Sequence, residues 1–493
     1  MKKLYKIAGD TVLYGASTIL GRLINWFLMP FYIRTLLQDE YGVVVNIYSF
    51  IAVLLVVNTL GFETGYFRFV KEFDTKKVRN SLISGIAVVS VFFISFTIIL
   101  LPRLSSFFTG IENIEWIIIL AVLIVMGDSV NSIPFAQFRY QNKAVKYSVF
   151  RLLQIILTVL FNLLYLVLFP YLKKEGVHIP EYIFDEKLRV FYVFWSNFLA
   201  TFIILLIFIP GILRDKFSIS KKILVTVFNY SFPIVLVGLF GILNQNIDKI
   251  LLPYLINSDD PFGDLAIYGA NFKIGVLMAL FTQSFRLAFE PFFFKEGKNK
   301  DSKEIYSEVL KYFTFFGMLI FLGVMMFLDI INIILTPKYA VGNIIIPFIL
   351  MSQLFFGIYY SLSLWYKLTD RTIFGFYMSL TGFIVNLAGL IILIPLYGYL
   401  GAAVSLFISF GLIMVISYLL GQRYYPVNYP VGKIIFLMIA GVLFYLFDTK
   451  LSIESVYTRY LVKGVIFATY ILLFYLMEKF SKTKLKNDKD QNS

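Results

Sequence analysis

Apolar stretches that are long enough to cross a lipid bilayer recur along the whole sequence. A helix needs about 20 apolar residues to span the hydrocarbon core, and about 14 such stretches occur in the 493 residues. They lie near residues 9–34, 42–62, 81–101, 115–134, 147–170, 190–212, 223–256, 265–289, 309–330, 342–364, 373–395, 400–420, 433–447 and 460–477. Backbone groups inside lipid need partners within the protein, so each stretch must be a helix or a strand of a closed barrel. Residues 117–125 do not alternate in polarity as barrel strands do, and the sequence therefore predicts an all-α polytopic membrane protein.

Composition excludes several kinds of chemistry. Charged residues make up 15% of the chain, against about a quarter in soluble domains. No small-residue cleavage site separates the first two apolar stretches, so we expect the first to be a span and not a removed signal peptide. The sequence has no cysteine and one histidine, His178, which we expect to be a solvated loop residue. Disulfides and Cys/His metal sites are excluded, and neither a metal nor a cofactor is predicted.

The basic residues between the spans give an orientation. Loops on the side of the N-terminus carry 30 of the 44 Lys and Arg residues. The opposite side carries nine, which are Arg34, Arg103, Lys173, Lys174, Lys187, Arg189, Lys338, Lys450 and Arg459. Basic loops face the cytoplasm, so we expect both termini to be cytoplasmic. The net charge of +14 then reflects topology, and no nucleic-acid partner is predicted.

Two segments of the chain resemble each other at the same topological position. Residues 27–33 read FLMPFYI and residues 250–256 read ILLPYLI, and each is followed by an acidic turn with a glycine. This repeat predicts two six-helix bundles, residues 1–215 and 216–425, which is a plan used by transporters with a substrate site between repeats. Two extra helices would follow at residues 426–480, and a charged cytoplasmic tail at 481–493.

The same segments carry a family resemblance. Residues 246–252, Gly263 and residues 267–273 resemble the seventh and eighth helices of polysaccharide-export proteins. The first helix is similar to their N-terminal signature, through Gly15, Gly21, Pro30, residues 34–37 and residues 40–42. The chain thus resembles the Wzx-type flippases of lipid-linked oligosaccharides, whose superfamily also holds multidrug-and-toxin extruders and lipid II flippases.

The resemblance implies a function and a setting. Two bundles around a central cavity would move an undecaprenyl-diphosphate-linked oligosaccharide from the cytoplasmic to the outer leaflet of a bacterial inner membrane, by alternating access. The partners implied are the bilayer, the lipid-linked substrate, Na⁺ or H⁺, and the polymerase and glycosyltransferases of a surface polysaccharide such as O-antigen. No catalytic base or nucleophile stands out in the sequence, so we expect that the chain is not an enzyme.

Three cations lie within predicted spans, where a charge costs about 2.5–3.5 kcal/mol on insertion scales. Arg22, Lys249 and Lys273 are therefore candidates for binding a diphosphate, because guanidinium and ammonium groups both bind phosphate. Alternatively, they neutralise carboxylates or extend to the membrane surface. Weaker polar candidates for the cavity are Asn25, Asn246 and Asn271.

Asp248 is the acidic candidate. Successive helical residues differ in direction by about 100°, so we expect Asp248 and Lys249 to project apart. Asp248 then either pairs with Lys273 as structural support or binds a coupling Na⁺ or H⁺. The resemblance to lipid II flippases implies Asn386 and Ser405 as partners of such an ion.

Other charged residues lie towards the cytoplasmic ends of spans. We expect Asp128 to have an interfacial or gate role. Arg286 and Glu290 are spaced as a local pair, and we interpret Glu63 and Arg68 in the same way. Any of these residues could also form an inner gate.

Four alternatives to an oligosaccharide flippase stay open. A lipid II flippase differs only in its cargo. A multidrug cation antiporter of the same fold would need carboxylates in its cavity, whereas the deep charges here are mainly cationic. A membrane glycan polymerase or ligase would need a long outward loop with catalytic groups, which the sequence lacks, and a non-transporting scaffold is the fourth.

Overall fold

The computed structural model describes residues 20–491, apart from residues 22, 25, 109–110, 215–218, 297–301 and 452. Within these residues the chain is helical and forms no strand, which confirms the all-α prediction. Thirteen described helical segments are long and apolar enough to cross a membrane, and they correspond to the second to fourteenth predicted spans. The first predicted span, 9–34, lies largely outside the described residues, although residues 26–35 are helical.

The described part of the chain divides into two compact units, and the first combines residues up to 270 with 375–406. Its helices begin with α1 at 26–35 and continue with α2 Gln38–Asn58, α3 Phe62–Phe69, α4 Thr75–Ser105, α5 Ile114–Tyr140, α6 Ala144–Leu163, α7 Phe169–Lys174, α8 Arg189–Leu213 and α9 Lys221–Leu255. A π-helical turn, Leu164–Leu168, joins α6 to α7, and a short 3₁₀ turn, Glu186–Leu188, precedes α8. The first ten residues of α10 Pro261–Glu296, all of α16 Ile373–Tyr397 except its first two residues, and the start of α17 Tyr399–Tyr424 belong to the same unit.

The second unit combines residues 271–374 with 407–493. Besides the remainder of α10 and α17, it contains α11 Ser302–Met326, α12 Leu328–Leu335, α13 Pro337–Ala340, α14 Ile346–Leu362, α15 Leu364–Leu368, α18 Val431–Lys450 and α19 Val456–Gln491. A 3₁₀ turn, Val341–Ile345, joins α13 to α14. The predicted bundle boundaries at residues 215 and 425 stay a prediction.

The backbone enters the left-handed region at several helix ends. Leu60 and Gly61 have φ angles of 51° and 63° and separate α2 from α3. Thr336, with a φ angle of 65°, separates α12 from α13. A left-handed residue cannot continue a right-handed helix, so the preceding helix ends at each of these positions.

In each acidic turn of the sequence repeat, a carboxylate accepts a backbone N–H at the start of a helix, backwards along the chain in the first turn and forwards in the second. The Glu40 carboxylate accepts a hydrogen bond from the Leu37 backbone N–H at 2.7 Å. The Asp260 carboxylate accepts one from the Gly263 N–H at 2.8 Å. A carboxylate near a helix start satisfies free N–H groups and complements the helix dipole.

The starts of α2 and α10 lie against each other in the first unit. The Gln38 side chain donates a hydrogen bond to the Gly263 carbonyl at 3.1 Å. A Cβ atom on Gly42 would lie 1.8 Å from the carbonyl oxygen of Phe262. Position 42 therefore accepts only glycine at this backbone separation.

Candidate functional site

The deepest charged group of the first unit is an ion pair between adjacent residues of α9. Asp248 is fully buried and Lys249 is 8% exposed. The Lys249 Nζ lies 2.9 Å and 3.0 Å from the two carboxylate oxygens of Asp248, and it also donates to the Gln245 carbonyl at 3.0 Å. The expectation that Asp248 and Lys249 project apart is wrong. The four methylene groups of lysine let its ammonium bend back to a neighbour whose Cβ points elsewhere.

A tyrosine from α10 completes this cluster. The Tyr268 hydroxyl donates to Asp248 Oδ2 at 2.5 Å, and its ring centroid lies 5.8 Å from the Lys249 Nζ. Asp248 also accepts the backbone N–H of Lys249 at 2.9 Å. A buried carboxylate with an adjacent ammonium and a hydroxyl donor is charge-neutralised and hydrogen-bonded. The ammonium that lies beside Asp248 is that of Lys249, and a pairing of Asp248 with Lys273 stays a prediction.

Asn46 of α2 contacts α9 where Pro253 leaves a backbone carbonyl of α9 without its helical donor. Proline has no N–H, so the carbonyl four residues earlier, that of Lys249, lacks its helical donor. The Asn46 amide of α2 donates to this carbonyl at 2.8 Å and to that of Ile250 at 3.2 Å. Asn46 was not predicted as a contact residue, although the proline of the repeat indicates a backbone carbonyl that needs another donor.

Asn386 of α16 and Ser405 of α17, the two candidate partners of a coupling ion, lie in contact with each other. The Ser405 hydroxyl lies 2.8 Å from Asn386 Oδ1 and equally near the Asn386 carbonyl. The Asn386 amide donates to the Asn244 carbonyl of α9 at 2.9 Å. Asn244 lies one helical turn before Asp248, so α9, α16 and α17 join through a buried hydrogen-bonded chain. Its side-chain oxygens are the kind of ligand that Na⁺ prefers, and here they take part in hydrogen bonds between helices.

The remaining cavity candidates are spread over the chain. Arg22 and Asn25 lie outside the described residues. The Asn246 amide donates within its own helix, to the Ile242 carbonyl at 2.9 Å. In the second unit, Asn271 is buried and donates to the Tyr339 carbonyl at 2.8 Å, whereas Lys273 is half-buried.

Asp128 forms the centre of a polar network between α5, α6 and α8. Its carboxylate accepts hydrogen bonds from the Gln154 amide at 2.8 Å and from the Thr201 hydroxyl at 3.1 Å. The Arg151 guanidinium donates to the Gln154 Oε1 at 3.3 Å. The network joins three helices through one carboxylate, and this supports an interhelical role for Asp128.

The predicted pairing of Glu63 with Arg68 is wrong. Glu63 pairs with Arg139 of α5, and Arg68 pairs with Glu72, four residues on, at 3.3 Å. A contact between α3 and α5 can outcompete a local pair because the fold, and not the spacing, brings Arg139 close. Arg286 lies 5.2 Å from the ring centroid of Tyr360, and its predicted partner Glu290 has a side chain outside the described residues.

Two ion-pair clusters of the second unit were not predicted. The Lys311 ammonium is 1% exposed and lies 2.8 Å from carboxylate oxygens of both Glu308 and Glu478, which ties α11 to α19. The separation of Lys311 and Glu478 in sequence left no local signal.

The second cluster lies around Asp329 of α12. Its carboxylate accepts a hydrogen bond from the Tyr460 hydroxyl at 3.1 Å and lies 3.4 Å from the Lys463 ammonium. Burial raises the pKa of Asp329, but the hydroxyl and the ammonium outweigh it and hold the pKa below its ordinary value.

Comparison with solved structures gives the fold. A structure of the lipid II flippase MurJ in an inward closed conformation matches with a TM-score of 0.72 at 14% identity, over 94% of this chain and 99% of that chain. An inward-facing multidrug resistance MATE family transporter of the MOP superfamily matches with a TM-score of 0.59 at 14% identity, over 82% and 94%. A structure of the MATE multidrug transporter DinF-BH matches with a TM-score of 0.60 at 14% identity, over 85% and 95%. These likenesses show that the chain has the fold of this group of membrane transporters.

Comparison of the sequence gives the family. No curated protein matches the chain. A family model described as polysaccharide biosynthesis protein matches residues 7–295, which is more than half of the chain. This chain therefore belongs to the polysaccharide biosynthesis protein family, as its first and seventh helices had indicated.

Proposed function

We propose that this chain is a flippase that moves an undecaprenyl-diphosphate-linked oligosaccharide from the cytoplasmic to the outer leaflet of a bacterial inner membrane. The family match over residues 7–295 carries the proposal. The thirteen apolar helices of the described residues support it, because a polyprenyl tail needs lipid while its saccharide needs a path through protein. Both termini are cytoplasmic in this proposal, and the six-helix bundles 1–215 and 216–425 alternate access by rocking.

The ion pair on α9 narrows the choice of substrate-binding cations. The Lys249 ammonium is committed to Asp248 and to the Gln245 carbonyl, so we assign Lys249 to the support of α9. Arg22 and Lys273, which lie within predicted spans, are the cations proposed to hold the diphosphate.

Proteoliposomes test this proposal. The full chain is reconstituted with a fluorescent undecaprenyl-diphosphate oligosaccharide, and label on the outer leaflet is measured with a membrane-impermeant quencher. Arg22→Ala should lower the initial rate about tenfold or more, which corresponds to one lost charge-assisted contact. The matched control is Arg103→Ala, which removes an exposed cation near the end of α4 and should leave the rate unchanged. No translocation by the wild-type chain refutes the flippase, and a normal rate for Arg22→Ala refutes the assignment of Arg22.

A lipid II flippase is the second candidate. The observation that favours it is the match to the lipid II flippase MurJ over 99% of that chain. The same assay run with lipid II beside the oligosaccharide lipid identifies the cargo by the ratio of the two rates.

The proposed energy source is a gradient of Na⁺ or H⁺. Imposing each gradient separately on the proteoliposomes should raise the translocation rate for the coupling ion alone. Dissipating that gradient with an ionophore should return the rate to its basal value.

A further inference from the structure

A basic pocket lies in the first unit where α1, the π-helical turn with α7, and the start of α8 come together. Its cavity is about 600 Å³, a volume typical of small-molecule sites. Four cations contribute to its lining, and they are Arg34, Lys173, Lys174 and Arg189. Glu186 is the one carboxylate in this lining among the residues that the structure describes.

The electrostatics of the pocket favour an anion. Glu186 lies 3.7 Å from Lys173, and both side chains are about half exposed, so their mutual attraction is weak. A cleft lined by charges of one sign concentrates ions of the opposite sign. Guanidinium and ammonium groups together suit a carboxylate or a phosphate.

One wall of the pocket is an aromatic ring held in a fixed position. Tyr165 lies in the π-helical turn Leu164–Leu168, and its ring stacks on that of Tyr192 at 4.7 Å with an interplanar angle of 5°. The Trp195 indole donates to the Tyr165 hydroxyl at 3.2 Å. π-Helical turns are frequent at functional sites, and here the turn carries a residue that lines the cavity.

The combination of cations and a fixed aromatic ring points to one ligand class. Tyr192 stacks on one face of the Tyr165 ring and Phe169 lies against it at 5.4 Å, so the part of the ring that lines the cavity can contact the C–H groups of a sugar, and an acidic sugar adds a carboxylate for the cations. The helix ends that form the pocket belong to the side opposite the basic loops, where the exported saccharide would emerge. We infer that this basic pocket binds an acidic sugar, such as a uronic acid residue of the translocated saccharide.

This inference rests on the proposed function for its biological setting, but binding can be measured alone. The full chain in phosphatidylcholine nanodiscs is titrated with cellobiouronic acid, a disaccharide of glucuronate and glucose, and with cellobiose as its neutral match. The wild-type chain should bind cellobiouronic acid at least about tenfold more tightly than cellobiose, because the carboxylate adds charge-assisted contacts. Equal affinity for the two disaccharides would overturn the inference.

Substitutions locate the binding. The double variant K174Q/R189Q removes two cations of the lining and should weaken cellobiouronic acid binding at least about tenfold. The matched control R103Q/K187Q removes two outward cations that do not line the cavity and should leave affinity unchanged. Should the double variant fail to fold, K174Q alone serves, since Lys174 is exposed. Unchanged affinity in a folded variant refutes the site.

Three further outcomes separate this inference from its alternatives. Phosphatidylglycerol retained by the wild-type chain in native mass spectrometry and lost from K174Q/R189Q, without disaccharide binding, would show a lipid headgroup site and overturn the inference. Binding of cellobiouronic acid through this pocket, without translocation of any lipid-linked saccharide, would uphold the pocket and refute the proposed flippase. Translocation of a lipid-linked saccharide by the wild-type chain, together with normal disaccharide affinity in K174Q/R189Q, would uphold the proposed flippase and refute the pocket.

Discussion

The ion pair of α9 allows a quantitative test by a double-mutant cycle. In Asp248→Asn the Lys249 ammonium stays buried without its counter-charge, which costs about 3–5 kcal/mol in a buried pair. In Lys249→Met the fully buried Asp248 keeps only the Tyr268 hydroxyl as a side-chain partner among those described, and we expect a similar loss of about 3–5 kcal/mol.

The double variant D248N/K249M removes both charges at once. Methionine is close to lysine in length, and asparagine still accepts the Tyr268 hydroxyl. Replacing a buried ion pair by neutral groups is often nearly neutral in energy, so the double variant should lose only about 1 kcal/mol. The two single losses then exceed the loss of the double variant by at least about 5 kcal/mol, which is the interaction energy of the cycle.

Equilibrium unfolding in mixed detergent micelles, followed by circular dichroism, measures the four free energies of unfolding. The exposed pair of Arg68 and Glu72, at 3.3 Å with side chains 59% and 44% exposed, is the matched control. The cycle R68Q/E72Q should give an interaction energy of only about 0.5 kcal/mol. Additive losses for Asp248 and Lys249, within about 0.5 kcal/mol, would refute the stabilising role of the buried pair.

Transport by the same variants decides between structural pairing and ion coupling. If the pair only supports α9, D248N/K249M should recover translocation together with stability and keep its response to the coupling gradient. A stable double variant that translocates without that response would instead assign Asp248 to ion coupling.

Three further predictions concern packing and charge elsewhere. Gly42→Ala should lower the free energy of unfolding by roughly 1–3 kcal/mol, because its Cβ meets a backbone carbonyl, whereas Gly211→Ala, with open space around it, should change stability little. Lys311→Met should lower stability by about 3 kcal/mol by leaving the mostly buried Glu478 unpaired, and limited proteolysis should then cleave α19 sooner; equal cleavage in both proteins would contradict this. The depressed pKa of Asp329 gives stability that is present above its unfolded pKa of about 4 and is lost as pH falls through the folded pKa. Melting temperatures between pH 6 and pH 3 should therefore fall more in the wild type than in Asp329→Asn, and parallel curves would refute the linkage.

The fold was predictable because it rests on hydrophobic length. Runs of apolar residues and the alternation of basic loops depend only on the bilayer, and thirteen predicted spans match described helices. The break between α2 and α3 was not predicted, since Leu60 and Gly61 lie inside the predicted span 42–62 and apolar length alone does not show a change of φ angle.

The candidate site was predictable only in part. Asn386 and Ser405, which the family resemblance implied as partners of an ion, lie within hydrogen-bond distance of each other, and their role towards an ion stays a prediction. The pairing of Asp248 with Lys249 was missed because helical spacing fixes the direction of Cβ and not the reach of a long side chain. Glu63 was assigned to a near neighbour for a similar reason: spacing says nothing of Arg139, which only the tertiary fold brings close.

The pairing of neighbours on α9 also bears on how this protein enters its membrane. When the counter-charge of a buried group lies on another helix, it is present only after that helix has been inserted. Until then, the helix that was inserted earlier carries an isolated charge in lipid. Asp248 and Lys249 can neutralise each other as soon as a single turn of α9 has formed. The cost of a bare charge at the bilayer centre is thus reduced during synthesis, before Tyr268 of α10 has left the ribosome.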